Sequence, residues 1–417
     1  MRFSRILSLL LCLCLLLAVV GCAEGETGSA SSLALSSGKA ASSGAASKAA
    51  SAASLSSGAD ASEATSAETS SLASSQAETS SAPEPVTYDR KTVRLIGNES
   101  KWRITGRTAV VTNLLGDTAM AYDHSAQGFL FHADCEGSVT LHLSLPAHMH
   151  FLVRVDGEGR DIAVEDDLKD ARIVLAEGLT RGKHSFEIYR CNELYSGAAT
   201  VNAVELNGAL LPYEAPKRDF KMIVLGDSIT AGNGMYTPKG AERTYRDSDA
   251  THTYAFLAAE ALNADFYIMA QSGMNTDPDA SQDNSCYNYY DRYCWKRKDL
   301  GAYDNTKEEV DVFVIGLGTN GWSKFSKDDM LKQIRALITR VRADHPTTKI
   351  VWCYGQLDNS KGASIGATVR SMMQTDDKLY YYQFKKPNNA SGNQHPTAEA
   401  NERDAQELID FIRSNVL

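Results

Sequence analysis

From residue 219 onward, short apolar runs alternate with segments of helical period, and this alternation constrains the fold more than any other feature of the chain. The runs are Met222–Leu225, Phe266–Met269, Val310–Ile315, Ile350–Tyr354 and Leu379–Phe384, with helix candidates near 253–263, 327–343 and 397–415. The second helix candidate opens on Ser326-Lys327-Asp328-Asp329, which supplies a good N-cap. Its apolar residues Met330, Ile334, Leu337, Ile338 and Val341 fall on one face. Strand–helix–strand repetition implies a parallel sheet covered by helices on both faces, so 219–417 reads as an α/β domain. Active sites in such sheets lie at the carboxyl ends of the strands.

The preceding segment, 86–215, follows another rule. It holds short β runs separated by turns, among them Ala109-Val110-Val111, Gly128-Phe129-Leu130-Phe131, Ser138–Leu143, Phe151–Val155, Ile173-Val174-Leu175, Ser185–Tyr189 and Val201–Leu206. Alternation such as Thr140-Leu141-His142-Leu143 buries one face and wets the other. Asp156-Gly157 is a hairpin-type turn. Some seven strands without a helical period predict an antiparallel β-sandwich or jelly roll.

The first 85 residues are expected to stay outside either fold. Residues 1–21 carry Arg2 and Arg5 and then an apolar run from Ile6 to Val20, short enough for a secretory signal and not a permanent span. Val19-Val20-Gly21-Cys22 resembles a bacterial lipoprotein box, which implies cleavage before Cys22 and a lipid on its sulfur. An ordinary signal peptide with a chance cysteine is the alternative. Residues 23–85 are almost entirely Ser, Ala, Gly, Glu and Thr with no aromatic residue, so they cannot bury enough apolar area to offset chain entropy. Together, 22–85 read as a lipidated cysteine and a disordered linker. A tether of this kind implies a membrane contact through the anchor alone, a cell-surface location and a substrate outside the cell.

Net charge is −10, and about −12 once Arg2 and Arg5 leave with the signal, with no basic tract; nucleic acid is not expected as a partner. Of the eight cysteines, Cys135, Cys191, Cys286, Cys294 and Cys353 remain in the folded part. Cys286 and Cys294 are close enough in a polar loop to pair outside the cell, or all five stay as thiols. No CxxC pair or His-rich cluster suggests a metal, and no cofactor is expected.

The carboxyl-end rule sorts the polar residues. The first strand runs into Gly226-Asp227-Ser228, the second into Gln271-Ser272-Gly273 and the third into Gly316-Leu317-Gly318-Thr319-Asn320. After the fifth comes Gly392-Asn393-Gln394-His395-Pro396, just before the last helix. A serine, a glycine, an asparagine and a histidine thus share one rim. Their types fit acyl transfer: a serine hydroxyl becomes a nucleophile when a base takes its proton, and His395 can be that base. The resulting oxyanion needs preplaced donors, which the N–H groups of Ser228 and Gly273 and the Asn320 amide can supply. Taken alone, Ser228 is equally a polar turn residue after a strand. Of nine histidines, six lie in 86–215, His252 adjoins a helix start, and His345 sits beside Asp344 but between a helix and the next strand, on the opposite rim.

Gly226-Asp227-Ser228-Ile229-Thr230, Gly273, Gly318-Thr319-Asn320 and His395-Pro396 resemble the four blocks of the SGNH (GDSL-type) hydrolases. Gly178-Leu179, Gly182-Lys183-His184, the stretch Phe186–Arg190 and the direct run into Gly226–Gly234 resemble the jelly-roll-plus-hydrolase arrangement of carbohydrate esterase family 2, over 88–417. The resemblance implies a flavodoxin-like parallel sheet for the hydrolase part and a serine esterase that removes O-acetyl groups from polysaccharide such as xylan or glucomannan. Ser228 would be nucleophile, His395 base, and Ser228, Gly273 and Asn320 the oxyanion hole. Two departures matter. The superfamily places Asp three residues before the histidine, where this chain has Gly392, so a carbonyl, Asn393 or a distant acid must orient His395. A Trp common just before the histidine is Gln394, so Trp322, Trp295 or the run Tyr287-Asn288-Tyr289-Tyr290 would have to supply a sugar platform. Gly321 stands where family members often have Asp. Trp322 and Asp227 are the candidate substrate contacts. Esterase action on other acyl groups or on cell-wall O-acetyl, and a non-catalytic carbohydrate-binding surface protein, are the alternatives.

Overall fold

The computed structural model describes residues 86–193, 196–294 and 298–417. The signal and linker segments, Cys22 and Trp295 lie outside the described residues.

Nine antiparallel strands come first: β1 (Arg90–Arg94), β2 (Trp102–Ile104), β3 (Val110–Thr112), β4 (Thr118–Tyr122), β5 (Gly128–Ser144), β6 (Met149–Val155), β7 (Glu158–Val164), β8 (Ala171–Arg190) and β9 (Ala199–Leu210). They form one hydrogen-bonded sheet with the path β3-β4-β9-β5-β8-β6-β7; β1 joins on β9 and β2 on β5. The antiparallel domain is therefore present, but its strands belong to one sheet and not to two separate ones. The long strands explain this. β5 pairs β2 through Phe129–Phe131 and β9 from Ala133 to Ser144, with register shifts between Cys135 and Thr140. Bulges of this kind bend a strand and increase its twist, so a single sheet can wrap its own core. That core includes Phe129, Phe131, Leu141, Phe151, Phe186 and Ile188. The alternation expected at Thr140–Leu143 holds only in part, since Leu141 and Leu143 are buried and His142 is half-buried but Thr140 is buried too; it is clear in β8, where Ala171, Ile173 and Leu175 are buried and Val174 is exposed.

The α/β part runs β10 (Phe220–Gly226), α1 (Tyr254–Ala261), β11 (Ala264–Ala270), a one-turn α2 (Tyr287–Tyr290), β12 (Val312–Gly316), α3 (Lys327–Asp344), β13 (Lys349–Tyr354), α4 (Gly362–Met373), β14 (Leu379–Gln383) and α5 (Ala398–Asn415). All pairings are parallel, in the order β11-β10-β12-β13-β14. Successive strand residues separate onto two faces. Met222 and Val224 join α1 and α5 in one apolar cluster; Ile223 and Leu225 join α3 and α4 in the other. Ser326 caps α3 by accepting from the Asp329 N–H, and Thr397 caps α5 by accepting from Ala400. α4 has no sequence signature of its own: its first turns are Gly362-Ala363-Ser364-Ile365-Gly366, and no side chain caps it. Gly366 is small for a packing reason, since a Cβ there would lie 2.7 Å from the Tyr381 ring.

One apolar cluster spans the two parts. Leu130 and Tyr189 of the β sheet lie in the same cluster as α1, with Tyr189 edge-on to Phe256 at 5.2 Å. Burying a ring of this size stabilises by about 2–3 kcal/mol. The bidentate Arg154–Glu260 pair across the same seam, at 2.5 and 2.8 Å, is partly solvated and adds about 1 kcal/mol or less. Arg107 crosses from the β part to the far side, bonding the Tyr290 carbonyl at 2.6 Å and Asn305 at 2.5 Å with its guanidinium over Tyr303.

Cys286 is a free, buried thiol, so the pairing with Cys294 is not made. The reason is packing: Cys286 lies under the α3 face of the sheet, whereas Cys294 packs with Val111 and Ala121 of the β part.

Candidate active site

β10 stops at Gly226 because the chain turns there: a Cβ on Gly226 would collide with Thr230. The Asp227 carbonyl accepts from Ala231 N–H, the Ser228 carbonyl accepts from Asn233 N–H, and this tight turn presents the Ser228 hydroxyl at the rim. His395 arrives from the loop before α5. Its Nε2 stands 2.8 Å from Ser228 Oγ. Its Nδ1 is 2.9 Å from the backbone carbonyl of Asn393. A carbonyl only accepts, so Nδ1 carries the proton and Nε2 is left with the lone pair that can take one from Ser228. Gln394, at φ +57°, is the turn that swings this carbonyl beneath the ring. A non-glycine residue in that region costs about 1 kcal/mol, a strain the surrounding contacts hold. His395 is mostly buried, and burial holds its pKa below the ordinary imidazole value; the Asn393 carbonyl and Glu193 act in the other direction. The ring is thereby kept neutral and able to act as base near neutral pH.

Gly392 cannot carry the usual acid. Its N–H donates to the Thr237 carbonyl at 2.7 Å, and a Cβ there would collide with the Pro238 carbonyl. The loop after Ser228 occupies the space an aspartate would need.

Three candidate donors lie on the loops of this rim. The N–H groups of Ser228 and Gly273 donate to no other group among the described residues. Gly273 sits at φ +79°, the left-handed region that favours glycine, and a Cβ there would press on the Asn284 side chain at 3.0 Å. Asn320 directs its amide at the Met274 carbonyl (3.1 Å) and, more loosely, at Asp227 (3.5 Å). Such an arrangement can deprotonate a hydroxyl and stabilise an oxyanion beside it.

The remaining expected residues separate clearly. Asp227 is fully buried; it accepts from Ile229 N–H at 3.0 Å and faces Asn320, so it supports the rim from below and is not a substrate contact. Burial raises its carboxyl to about 7. Trp322 is half-buried, its indole N–H bound to the Gly318 carbonyl at 2.6 Å and Lys361 over its ring at 5.4 Å; it braces the Asn320 loop and keeps part of its surface open. Tyr287, Asn288, Tyr289 and Tyr290 are buried and serve packing. Gly321, at φ +101°, has Met330 Sδ 2.9 Å from where a Cβ would be, which disfavours an aspartate. His345 caps α3 on the other rim, between Tyr290 and Phe313. His252 is partly exposed and bonds Asp249 at 3.3 Å.

One cluster of possible metal ligands was not anticipated: His150, Asp161 and Cys191. Both ring nitrogens of His150 are already used, Nδ1 on Asp161 at 2.6 Å and Nε2 on the Ser248 carbonyl at 2.8 Å. Four residues without a motif of their own, Glu193, Asn233, Ser272 and Arg243, join a network behind His395: the Asn233 amide donates to Glu193 and to Ser272 Oγ, Arg243 lies 3.6 Å from Glu193, and Asn233 Oδ1 accepts from Asn393. Asn233 lies in the Gly-Asn-Gly run five residues after the serine; Glu193 follows a β strand with no motif around it.

Residues 224–414 match the family described as GDSL-like Lipase/Acylhydrolase family. An "Acetylxylan esterase / glucomannan deacetylase" of Cellvibrio japonicus (strain Ueda107) is 24% identical over 261 residues, 60% of this chain and 72% of that protein. Among solved structures, a family two carbohydrate esterase from Cellvibrio japonicus superposes with a TM-score of 0.69 at 19% identity, covering 79% of this chain and 98% of that one. A family two carbohydrate esterase from Clostridium thermocellum, solved in complex with cellohexaose, gives a TM-score of 0.66 at 21% identity, covering 75% and 98%. Residues 224–414 thus form a GDSL-like lipase/acylhydrolase domain, and the chain is homologous to the family two acetylxylan esterases.

Proposed function

We propose that the protein is a serine esterase that removes O-acetyl groups from carbohydrate through an acyl-enzyme. The observation that carries this reading is the 2.8 Å contact between Ser228 Oγ and an imidazole whose other nitrogen is held by a carbonyl. Ser228 Oγ attacks the acetyl carbonyl carbon while His395 Nε2 takes its proton. The Ser228 and Gly273 N–H groups and the Asn320 amide hold the developing oxyanion. As the tetrahedral species collapses, His395 returns the proton to the departing sugar oxygen. Water, deprotonated by the same nitrogen, then cleaves the acetyl-serine and releases acetate.

Homology to the acetylxylan esterase / glucomannan deacetylase of Cellvibrio japonicus supports acetylated plant polysaccharide as substrate. The cellohexaose bound by the Clostridium thermocellum relative supports a β-glucan-like backbone lying along the rim. On this proposal the curled β sheet is a half-opened jelly roll and Cys22 the lipid anchor that keeps the enzyme at the cell surface; a Cys22→Ala protein appearing in the medium and not in the membrane fraction tests the anchor.

The deciding measurement is acetate release from acetylated xylan, acetylated glucomannan and O-acetylated peptidoglycan, beside hydrolysis of 4-nitrophenyl acetate. Release from the plant polysaccharides, lost in Ser228→Ala, is the expected result. Release from peptidoglycan alone redirects the substrate. No hydrolysis above the Ser228→Ala level on any of the four leaves a carbohydrate-binding protein.

A further inference from the structure

The acid missing from position 392 has a counterpart elsewhere. We propose that Glu193, delivered by the β domain, is a positioning residue for both His395 and the Ser272–Gly273 loop, acting through Asn233 and Asn393. This rests on the esterase reading above.

The carboxylate is buried at the rim, 5% exposed. One oxygen accepts from the Asn233 side-chain amide at 2.5 Å, and the other from the Ser272 backbone N–H at 2.7 Å. The second contact fixes the residue immediately before Gly273, whose own N–H has no acceptor among the described residues. The first begins a relay. Asn233 Oδ1 accepts from Asn393 Nδ2 at 2.5 Å, and the Asn393 carbonyl accepts from His395 Nδ1 at 2.9 Å. With its side chain tied at Asn233, Asn393 cannot rotate its carbonyl away from the histidine. Gly234 makes room for this, since a Cβ there would lie 2.6 Å from Asn393 Cβ. The far end is equally fixed: Arg190, fully buried, holds the Asn192 carbonyl at 3.0 Å and the Glu193 carbonyl at 2.8 Å. The β domain is thereby part of the hydrolase site and not only an appended module.

The carboxylate also carries charge. The charged groups acting on His395 are Glu193, which favours the imidazolium, and Arg243, which opposes it and lies 3.6 Å from Glu193. In Glu193→Gln, Arg243 acts unopposed and His395 becomes harder to protonate, so the acid limb of kcat/KM moves to lower pH. Loss of packing alone would leave that limb in place.

The experiment uses the full chain and 4-nitrophenyl acetate, with wild type and His395→Ala measured alongside. Wild-type turnover abolished in His395→Ala confirms the esterase reading independently of Glu193; absence of turnover in wild type overturns that reading instead. With wild type active, Glu193→Gln is expected to lower kcat about tenfold or more with KM changed less than about threefold, and to shift the acid limb downward. Glu193→Asp, which keeps the charge, should restore the limb. Asn233→Ala should lower kcat similarly, and adding it to Glu193→Gln should cost little more, because both break one relay. Wild-type kcat and acid limb in Glu193→Gln, or fully additive losses in the double variant, overturn the proposal. If Glu193→Gln does not fold, Asn233→Ala decides: wild-type kcat there overturns it.

Discussion

The two rims of the parallel sheet each carry a buried or mostly buried histidine, and they are built to opposite ends. On the amino-end rim, His345 adjoins Asp344 in sequence, yet that acid bonds Tyr290 and Arg340 and the ring lies against Tyr290 and Phe313. Burial lowers its pKa, and among the described residues its Nε2 has no hydrogen-bond partner. On the carboxyl-end rim, His395 has no acid neighbour in sequence, but it faces Ser228 and is held by a carbonyl. An acid next to a histidine in the chain is therefore a poor guide to acid–base chemistry. What matters is which end of the strand the loop occupies and what each ring nitrogen meets.

This contrast can be broken or sharpened by substitution. The largest effect is expected on the active rim, where Ser228→Ala and His395→Ala should each lower kcat on 4-nitrophenyl acetate by about 10⁴-fold or more. Next is Asn320→Ala, expected to lower kcat by about 10²–10³-fold with KM little changed, as loss of one oxyanion donor does elsewhere. Gly392→Asp asks whether the usual acid can be put back. Because the Pro238 carbonyl occupies the space, the variant should lose stability by about 2 kcal/mol or more in urea unfolding and gain no activity. On the other rim, His345→Ala should cost about 2 kcal/mol of stability and leave kcat within about twofold of wild type. A large loss of kcat there would overturn the comparison. The pH dependence is the subtlest test. His395 must be neutral to act, and burial holds its pKa below the usual value of about 6.5. Activity should therefore be retained as pH falls through 6.5 and be lost only below it.

How far the site was legible depended on whether a residue's position follows from its own strand. Ser228, Gly273, Asn320 and His395 each follow a strand or precede a helix that apolar periodicity reveals, so the carboxyl-end rule collects them without a structure. Asp227 adjoins the serine, but its side chain turns under the rim, because in a tight turn neighbouring residues point in opposite directions. α4 went unseen because its glycines are set by Tyr381 and Gln383 packing against it, not by helix propensity. Cys286 and Cys294 looked like partners from spacing; the chain between them passes from one core to another.

Sequence alone determined the five parallel strands, three of the helices between them, the rim on which chemistry can occur, and the serine, glycine, asparagine and histidine assigned to it. These follow from local periodicity and strand polarity. The tertiary structure alone decided how that histidine is held. The loop at Thr237–Pro238 closes the acid's usual place, the left-handed turn at Gln394 brings a carbonyl under the ring, and Glu193 reaches the network from another domain. Such contacts join residues up to 160 positions apart, as between Asn233 and Asn393, and no local pattern of the chain encodes a distance of that kind.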